Sequence, residues 1–163
     1  MKAAFIEDEN TENNEILLSL LKGVPVRDLI RQATEARKGA YCPYSGYAVG
    51  AALLTRDGKT VTGCNIENAS YGVSNCAERT AFFKAVSEGH SRFKAIAVIG
   101  SPEGKLIDQF AFPCGVCRQV MREFCSPDEF VIIVAKSETD YKVYLLRELL
   151  PEGFGPENLN NQA

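Results

Sequence analysis

Two short cysteine motifs constrain this chain more than any other feature of its sequence. The first reads Cys76-Ala77-Glu78, and the second reads Pro113-Cys114-Gly115-Val116-Cys117. Cys114 and Cys117 are three residues apart at a predicted helix start, so both sulfurs face the same side of that helix. Cys76 opens another predicted helix. The chain must therefore fold so that the starts of two helices meet.

The residues of the two motifs match the requirements of a catalytic zinc site. A structural zinc usually takes four protein ligands, whereas a catalytic zinc keeps three and leaves the fourth position for water. Cys76, Cys114 and Cys117 would hold one zinc ion per chain, and Glu78 would face the metal without binding it. Exposed N–H groups and helix dipoles at the two helix starts favour thiolates. We therefore predict Glu78 as the catalytic residue.

Two arginines directly follow residues of this predicted site. Arg79 comes after Glu78, and Arg118 comes after Cys117. Three thiolates on Zn²⁺ leave a net negative charge, which would weaken the pull of the metal on its water. Hydrogen bonds from both arginines to the ligand sulfurs would restore that pull, as residues around a metal site commonly do.

Composition and charge exclude several classes of partner. The chain has 163 residues, of which 45% are hydrophobic, as expected of one globular domain. A net charge of −3 disfavours nucleic acid, which normally needs a basic surface. No apolar run is long enough to span a membrane.

The N-terminal sequence indicates the compartment. Residues 1–14 are acidic and lack the basic and apolar regions of a signal peptide. We therefore expect the reducing cytoplasm, where cysteines remain thiols. Cys42, Cys64 and Cys125 are predicted to be small buried hydrophobic residues. His90, the only histidine, is predicted to lie in a surface loop.

Two regions divide the chain. Residues 1–22 are predicted to be an acidic, mobile tail, and residues 23–163 the catalytic domain. Within the tail, the apolar residues 16–18 and 20–21 could form a short helix that docks on the domain or on a partner chain.

The domain has the element order of an α/β fold. Apolar spacing predicts helices that open at Pro25, Cys76 and Pro113, and a short helix near the C-terminus. Five strands are predicted over residues 47–54, 60–66, 93–99, 130–135 and 141–146. The last two strands are joined by about six residues, too few for a parallel crossover. The sheet is therefore expected to be mixed, with an antiparallel last strand.

Together with three further segments, the cysteine motifs resemble those of the small, homotetrameric cytidine deaminases. The likeness covers about residues 26–159, and its segments occur in the same order. The matching segments are Cys42-Pro43-Tyr44-Ser45 with Val49-Gly50-Ala51-Ala52-Leu53, Gly63-Cys64-Asn65-Ile66-Glu67-Asn68-Ala69-Ser70-Tyr71, Cys76-Ala77-Glu78-Arg79-Thr80-Ala81, Pro113-Cys114-Gly115-Val116-Cys117-Arg118-Gln119, and Glu148-Leu149-Leu150-Pro151 with Phe154-Gly155-Pro156.

The resemblance implies a three-layer α/β/α fold and a zinc-dependent deaminase of cytidine and 2′-deoxycytidine that acts in pyrimidine salvage. It also implies a homotetramer with shared active sites, in which Phe154 reaches a neighbouring subunit's site. Tyr47 stands where the family usually has Phe, and its ring can still line the base pocket. The substrate-binding residues that the resemblance implies are Tyr47, Asn65 and Glu67 (the latter two for the ribose 3′-hydroxyl), Tyr71, Ala77 (through its N–H, for the 2-oxo group) and Phe154.

Other interpretations remain open at this point. Asn65 and Glu67 could simply order a loop, and Phe154 could pack its own C-terminal segment. The substrate could be another cytosine compound, such as blasticidin S. Finally, the motifs could belong to a non-catalytic, zinc-stapled interaction module, which predicts a fourth protein ligand, with Cys64 the best candidate, and no need for Glu78.

Overall fold

A computed structural model describes residues 11–160 of the chain, with side chains described for residues 14–159. A five-stranded sheet lies between two layers of helices, as expected for a three-layer α/β/α fold. The first ten residues of the predicted acidic tail lie outside the described part. The elements are α1 (Thr11–Leu21), α2 (Val26–Arg37), β1 (Tyr47–Thr55), β2 (Thr60–Cys64), a 3-10 turn (Tyr71–Val73), α3 (Ala77–Ser87), β3 (Phe93–Pro102), α4 (Gly115–Phe124), β4 (Val131–Ala135), β5 (Tyr141–Leu145), α5 (Leu146–Leu149) and α6 (Pro156–Asn160).

The sheet has the strand order β2-β1-β3-β4-β5. Only β3 and β4 run parallel, and α4 lies in the connection between them. The other neighbours are antiparallel, including the last pair, whose register runs from Val131 opposite Leu145 to Ala135 opposite Tyr141. The predicted mixed sheet with an antiparallel last strand is therefore confirmed.

Apolar side chains of the central strands alternate between two cores. In β1, Leu53 joins the core under α3 and α4, whereas Ala52 and Leu54 join the core under α2. Phe82 of α3 and Met121 of α4 are both fully buried in the first of these cores. Because successive side chains of a strand point to opposite faces, helices must cover both sides of the sheet.

Gly63 of β2 lets α3 approach the sheet closely. A Cβ at this position would lie 2.5 Å from the carbonyl oxygen of Ala77 and 2.5 Å from the nitrogen of Ala81. Only glycine permits such a backbone contact. The start of α3, which carries Cys76 and Glu78, is thereby held at the end of the sheet where β2 finishes.

Helix α1 contains the apolar residues in which a short helix was expected. Leu17 is only 4% exposed and packs in the same core as Leu29 and Ile30 of α2. The helix therefore docks on the body of its own chain. Among the helices in residues 11–160, none combines the length and apolar character needed to cross a bilayer.

The second strand ends two residues earlier than predicted. β2 ends at Cys64. Asn65 and Glu67, which were expected at the end of this strand, lie in the segment that follows it. Ile66 instead forms isolated bridges with Tyr41 and Asn75. The backbone of Ile66 thus pairs on both sides, with the loop before β1 and with the loop before α3.

Candidate active site

The three predicted ligand thiols lie together. The sulfurs of Cys76, Cys114 and Cys117 are all within 4.8 Å of one another. The separation is 3.9 Å between Cys76 and Cys114, and 3.5 Å between Cys114 and Cys117. Tetrahedral zinc with Zn–S bonds of about 2.3 Å needs sulfurs about 3.8 Å apart. The cluster therefore fits a zinc ion.

Two helix starts create this cluster. Cys76 is the N-cap residue of α3 and Cys114 is the N-cap residue of α4, and neither side chain caps its helix. Cys117 lies in the first turn of α4 and is fully buried. The positive ends of both helix dipoles thus point at the thiols, which favours their ionised forms.

The clustered thiols change one another's pKa values. A hydrogen bond from Cys117, supported by others from Arg79 and Cys114, lowers the pKa of Cys76 to about 5. The same contact with Cys76, together with burial, raises the pKa of Cys117. Cys76 therefore becomes a thiolate before Cys117.

Glu78 lies beside the cluster in the first turn of α3. It is only 4% exposed. Burial raises the pKa of its carboxyl to about 7, and the nearby Cys76 thiolate adds to this effect. A carboxyl with a pKa near neutrality can both accept and donate protons at neutral pH. Glu78 is thus suited to moving protons within a poorly solvated site.

The two arginines have different surroundings. Arg79 donates from Nη2 to the sulfur of Cys76 at 3.8 Å and to the carbonyl oxygen of Ser74 at 2.8 Å. Arg118 instead donates to the carbonyl oxygens of Pro113 at 2.8 Å and of Leu149 at 2.6 Å. The predicted contact of Arg118 with a sulfur is not formed among the described residues. The guanidinium of Arg118 therefore links the loop before α4 to the end of α5.

A cleft of about 360 Å³ opens onto Glu78 and two of the thiols. This size suits a small-molecule site. Six predicted residues contribute to its lining, namely Tyr47, Asn65, Cys76, Ala77, Glu78 and Cys114. Five lining residues were not predicted, namely Ser45, Val49, Val98, Ala111 and Phe112. Ser45 and Val49 lie in a segment that carried the family resemblance, whereas Val98 looks like an ordinary core residue of its strand.

Asn65 uses its amide to organise the start of β1. Its Oδ1 accepts a hydrogen bond from the N–H of Val49, and its Nδ2 donates to the carbonyl oxygen of Tyr47, both at 2.8 Å. The loop-ordering role is therefore present in the structure. Among the described residues, one N–H of the amide has no acceptor, since Nδ2 carries two hydrogens and donates one of them to Tyr47.

Tyr71 and Phe154 lie outside this cleft. Neither side chain is among its lining residues in the described part of the chain. Tyr71 is 74% exposed and Phe154 is 58% exposed. The backbone oxygen of Phe154 accepts a 2.9 Å hydrogen bond from Gln119 on α4, which holds the segment while the ring faces solvent.

The remaining cysteines stay outside the thiol cluster. Cys42 and Cys125 are buried as predicted, whereas Cys64 is only half-buried and its thiol lies 3.2 Å from the carbonyl oxygen of Gly39. His90 is partly exposed, with Nδ1 3.8 Å from a carboxylate oxygen of Asp57. Within the described residues the cluster thus has three members and no fourth protein ligand.

Comparisons with known proteins agree with this geometry. Residues 25–134 match the family model described as the cytidine and deoxycytidylate deaminase zinc-binding region. The chain belongs to this deaminase family. Both cysteine motifs lie within the matched residues, whereas α1 precedes them.

Individual deaminases are similar over most of their length. The cytidine deaminase of Halalkalibacterium halodurans is 48% identical over 133 residues, which cover 82% of this chain and 96% of that protein. The cytidine deaminase of Sporosarcina psychrophila is 46% identical over 138 residues, covering 85% of this chain and 97% of that protein. The crystal structure of cytidine deaminase from Burkholderia pseudomallei is 46% identical, with a TM-score of 0.71, and the match covers 78% of this chain and 97% of that one.

Proposed function

We propose that this chain is a zinc-dependent hydrolase that converts cytidine and 2′-deoxycytidine to uridine and 2′-deoxyuridine, with release of ammonia, in pyrimidine salvage. One observation carries the proposal. The buried carboxyl of Glu78 lies beside a three-thiol cluster that lacks a fourth protein ligand among the described residues, in a chain of the deaminase family. Such a set fits catalytic zinc better than structural zinc.

The chemistry needs one residue to move every proton. Zinc held by Cys76, Cys114 and Cys117 would lower the pKa of the attacking water toward ~7. Glu78 accepts a proton from that water and passes it to N3 of the base, which makes C4 electrophilic. After the water oxygen bonds to C4, Glu78 takes the second proton of that oxygen and delivers it to the amino group, and the C4–N bond breaks. Water and cytidine thus give uridine and ammonia, and the carboxylate is regenerated.

The substrate contacts follow from the cleft. The N–H of Ala77, at the start of α3, would donate to the 2-oxo group of the pyrimidine. The ring of Tyr47 would line the base pocket. Asn65, with its remaining N–H, and Glu67 would hold the ribose 3′-hydroxyl. Because that hydroxyl is common to ribo- and deoxyribonucleosides, both should be accepted.

Assembly would complete the site. We infer a homotetramer in which Phe154 covers a neighbouring subunit's nucleoside, with Tyr71 also contributing to the binding surface. The high exposure of both rings and their absence from the lining of the cleft in the described chain support this arrangement. Large exposed aromatic side chains are typical of interaction surfaces.

The same proposal covers partners and compartment. A small nucleoside is the expected ligand, and neither nucleic acid nor a membrane is an expected partner. The acidic sequence pI of about 5.3 supports the first exclusion. We propose a cytoplasmic location, since the zinc thiols require a reducing environment.

Loss of cytidine absorbance with the purified chain tests the proposal directly. We expect turnover by the wild type and a fall of at least ~10²-fold in Glu78→Gln. Retained zinc and an unchanged melting temperature in that variant would show that only proton transfer was lost. Zinc-loaded wild type that leaves cytidine and 2′-deoxycytidine intact would overturn the proposal.

Blasticidin S is the alternative substrate to be compared with cytidine in the same assay. The blasticidin-S deaminase of Bacillus cereus is 33% identical over 109 residues, a weaker match than those to the cytidine deaminases above. A higher kcat/KM for blasticidin S than for cytidine would show that blasticidin S is the preferred substrate of the same reaction. The non-catalytic module is disfavoured because Cys64, its candidate fourth ligand, lies outside the cluster.

A further inference from the structure

Glu67 is held by three hydrogen bonds from one short segment. Its Oε2 accepts the N–H of Tyr44 at 2.9 Å and that of Ser45 at 3.1 Å. Its Oε1 accepts the hydroxyl of Ser45 at 2.5 Å. The Ser45 hydroxyl in turn accepts the N–H of Tyr47 at 3.0 Å, which fixes its direction. The carboxylate is thus oriented before any ligand arrives.

Among the described residues, these bonds leave one hydrogen-bond acceptor position of the Glu67 carboxylate unused. A carboxylate offers roughly four acceptor positions, two on each oxygen. Oε2 of Glu67 uses two, and Oε1 uses one, for the Ser45 hydroxyl. Within the described part of the chain, the remaining position therefore lies on the oxygen that Ser45 holds. The same contacts, that of the Ser45 hydroxyl foremost, lower the pKa of Glu67 and keep it an acceptor.

Ser45 also connects Glu67 to the cleft, because it lines the cleft and donates its hydroxyl to Glu67. Ser45 lines the cleft together with Asn65, whereas Glu67 is not among the lining residues in the described chain. We propose that Ser45 is a positioning residue that holds Oε1 of Glu67 toward the cleft, so that its vacant acceptor position can receive the sugar 3′-hydroxyl. This inference rests on the proposed function and adds a residue to its sugar site.

The test compares two substrates that differ only in the 3′-hydroxyl, 2′-deoxycytidine and 2′,3′-dideoxycytidine. We expect Ser45→Ala to raise KM for 2′-deoxycytidine about tenfold, with little change in kcat, since the loosened bond affects binding and not proton transfer. KM for 2′,3′-dideoxycytidine should not change. Ser45→Thr keeps a hydroxyl and should restore wild-type discrimination between the two substrates.

A double-variant comparison shows whether Ser45 acts through Glu67. Adding Ser45→Ala to the Glu67→Gln variant should raise KM for 2′-deoxycytidine by a much smaller factor than Ser45→Ala does in the wild type. Ser91→Ala, an exposed serine in the loop before β3, is the matched control and should leave both substrates unaffected. Zinc content and melting temperature are measured for every variant.

Two outcomes separate the inference from the function on which it rests. Wild type that turns over neither 2′-deoxycytidine nor cytidine would remove the proposed function itself. Active wild type in which Ser45→Ala impairs both test substrates equally, or neither, would overturn the role of Ser45 and leave the deaminase function intact.

Discussion

The guanidinium of Arg122 lies directly against the backbone of Gly155. A Cβ at Gly155 would come within 2.4 Å of the Arg122 Cζ. Arg122 is only 8% exposed, forms an ion pair with Glu157, and donates from Nε to the carbonyl oxygen of Gly153 at 3.3 Å. A buried arginine on α4 thus fastens the C-terminal segment that carries Phe154.

We expect Gly155→Ala to loosen this attachment. The added methyl group must displace a guanidinium that is already paired, and such overpacking typically costs about 1–3 kcal/mol in the free energy of unfolding. Urea denaturation measures the change. Gly72→Ala is the matched control, because a Cβ there meets no atom within 4 Å. Equal losses in both variants would show that the Arg122 contact is not the cause.

Zinc content should depend on the three clustered thiols and on no other cysteine. Cys114→Ala should lose bound zinc and activity, because two thiols alone hold the metal poorly. Cys64→Ala should keep one zinc per chain, since its thiol contacts the carbonyl oxygen of Gly39 instead. Elemental analysis of both purified variants decides the matter. Active Cys114→Ala protein with full zinc would exclude this ligand set.

Glu78 should give the zinc-free chain a distinctive pH dependence. Its pKa rises from an ordinary 4.5 to about 7 in the folded state. The protonated carboxyl therefore favours the fold below about pH 4.5, and this contribution is lost as the pH rises through about 7. Cys76 acts in the opposite sense, because its folded pKa is lowered to about 5. A variant comparison is needed to isolate Glu78.

In the presence of chelator, we compare the free energies of unfolding of Glu78→Gln and wild type. The difference should increase in favour of Glu78→Gln by up to about 3 kcal/mol as the pH rises from roughly 4 to roughly 8. Urea denaturation at several pH values gives this difference. Gln has nearly the same shape and does not titrate, so packing contributes an offset that is constant with pH. A difference that stays constant over the whole range would rule out the raised pKa.

Phe154 should act in a neighbouring subunit. Its ring is exposed in the single chain, and covering it would contribute roughly 1.5–3 kcal/mol. Glu78→Gln and Phe154→Ala should each be weakly active alone. Co-expressed in one cell, they should regain activity well above the sum of the two, because mixed assemblies contain sites with Glu78 from one chain and Phe154 from another.

Mass spectrometry should confirm that mixed assemblies form in that experiment. Phe83→Ala, which removes an exposed ring from α3, replaces Phe154→Ala in a control co-expression. Additive activity in confirmed mixed assemblies would mean that Phe154 serves its own subunit.

Local patterns determined much of this protein. The spacing of Cys114 and Cys117 at a helix start predicted that their sulfurs would share one side, and the structure places them 3.5 Å apart. The short link before Tyr141 predicted the antiparallel last strand. Both features depend on the geometry of a single turn or hairpin, which a few neighbouring residues specify.

Only the tertiary structure decided which partners the polar side chains found. Arg118 follows the predicted ligand Cys117 in sequence, yet it donates to the carbonyl oxygen of Leu149, and Glu67 accepts the hydroxyl of Ser45. These partners are far apart along the chain and meet only through the order of strands and the packing of helices on them. Side-chain hydrogen bonds of this kind follow the assembled fold, because the nearest unsatisfied donor or acceptor depends on every element that surrounds it.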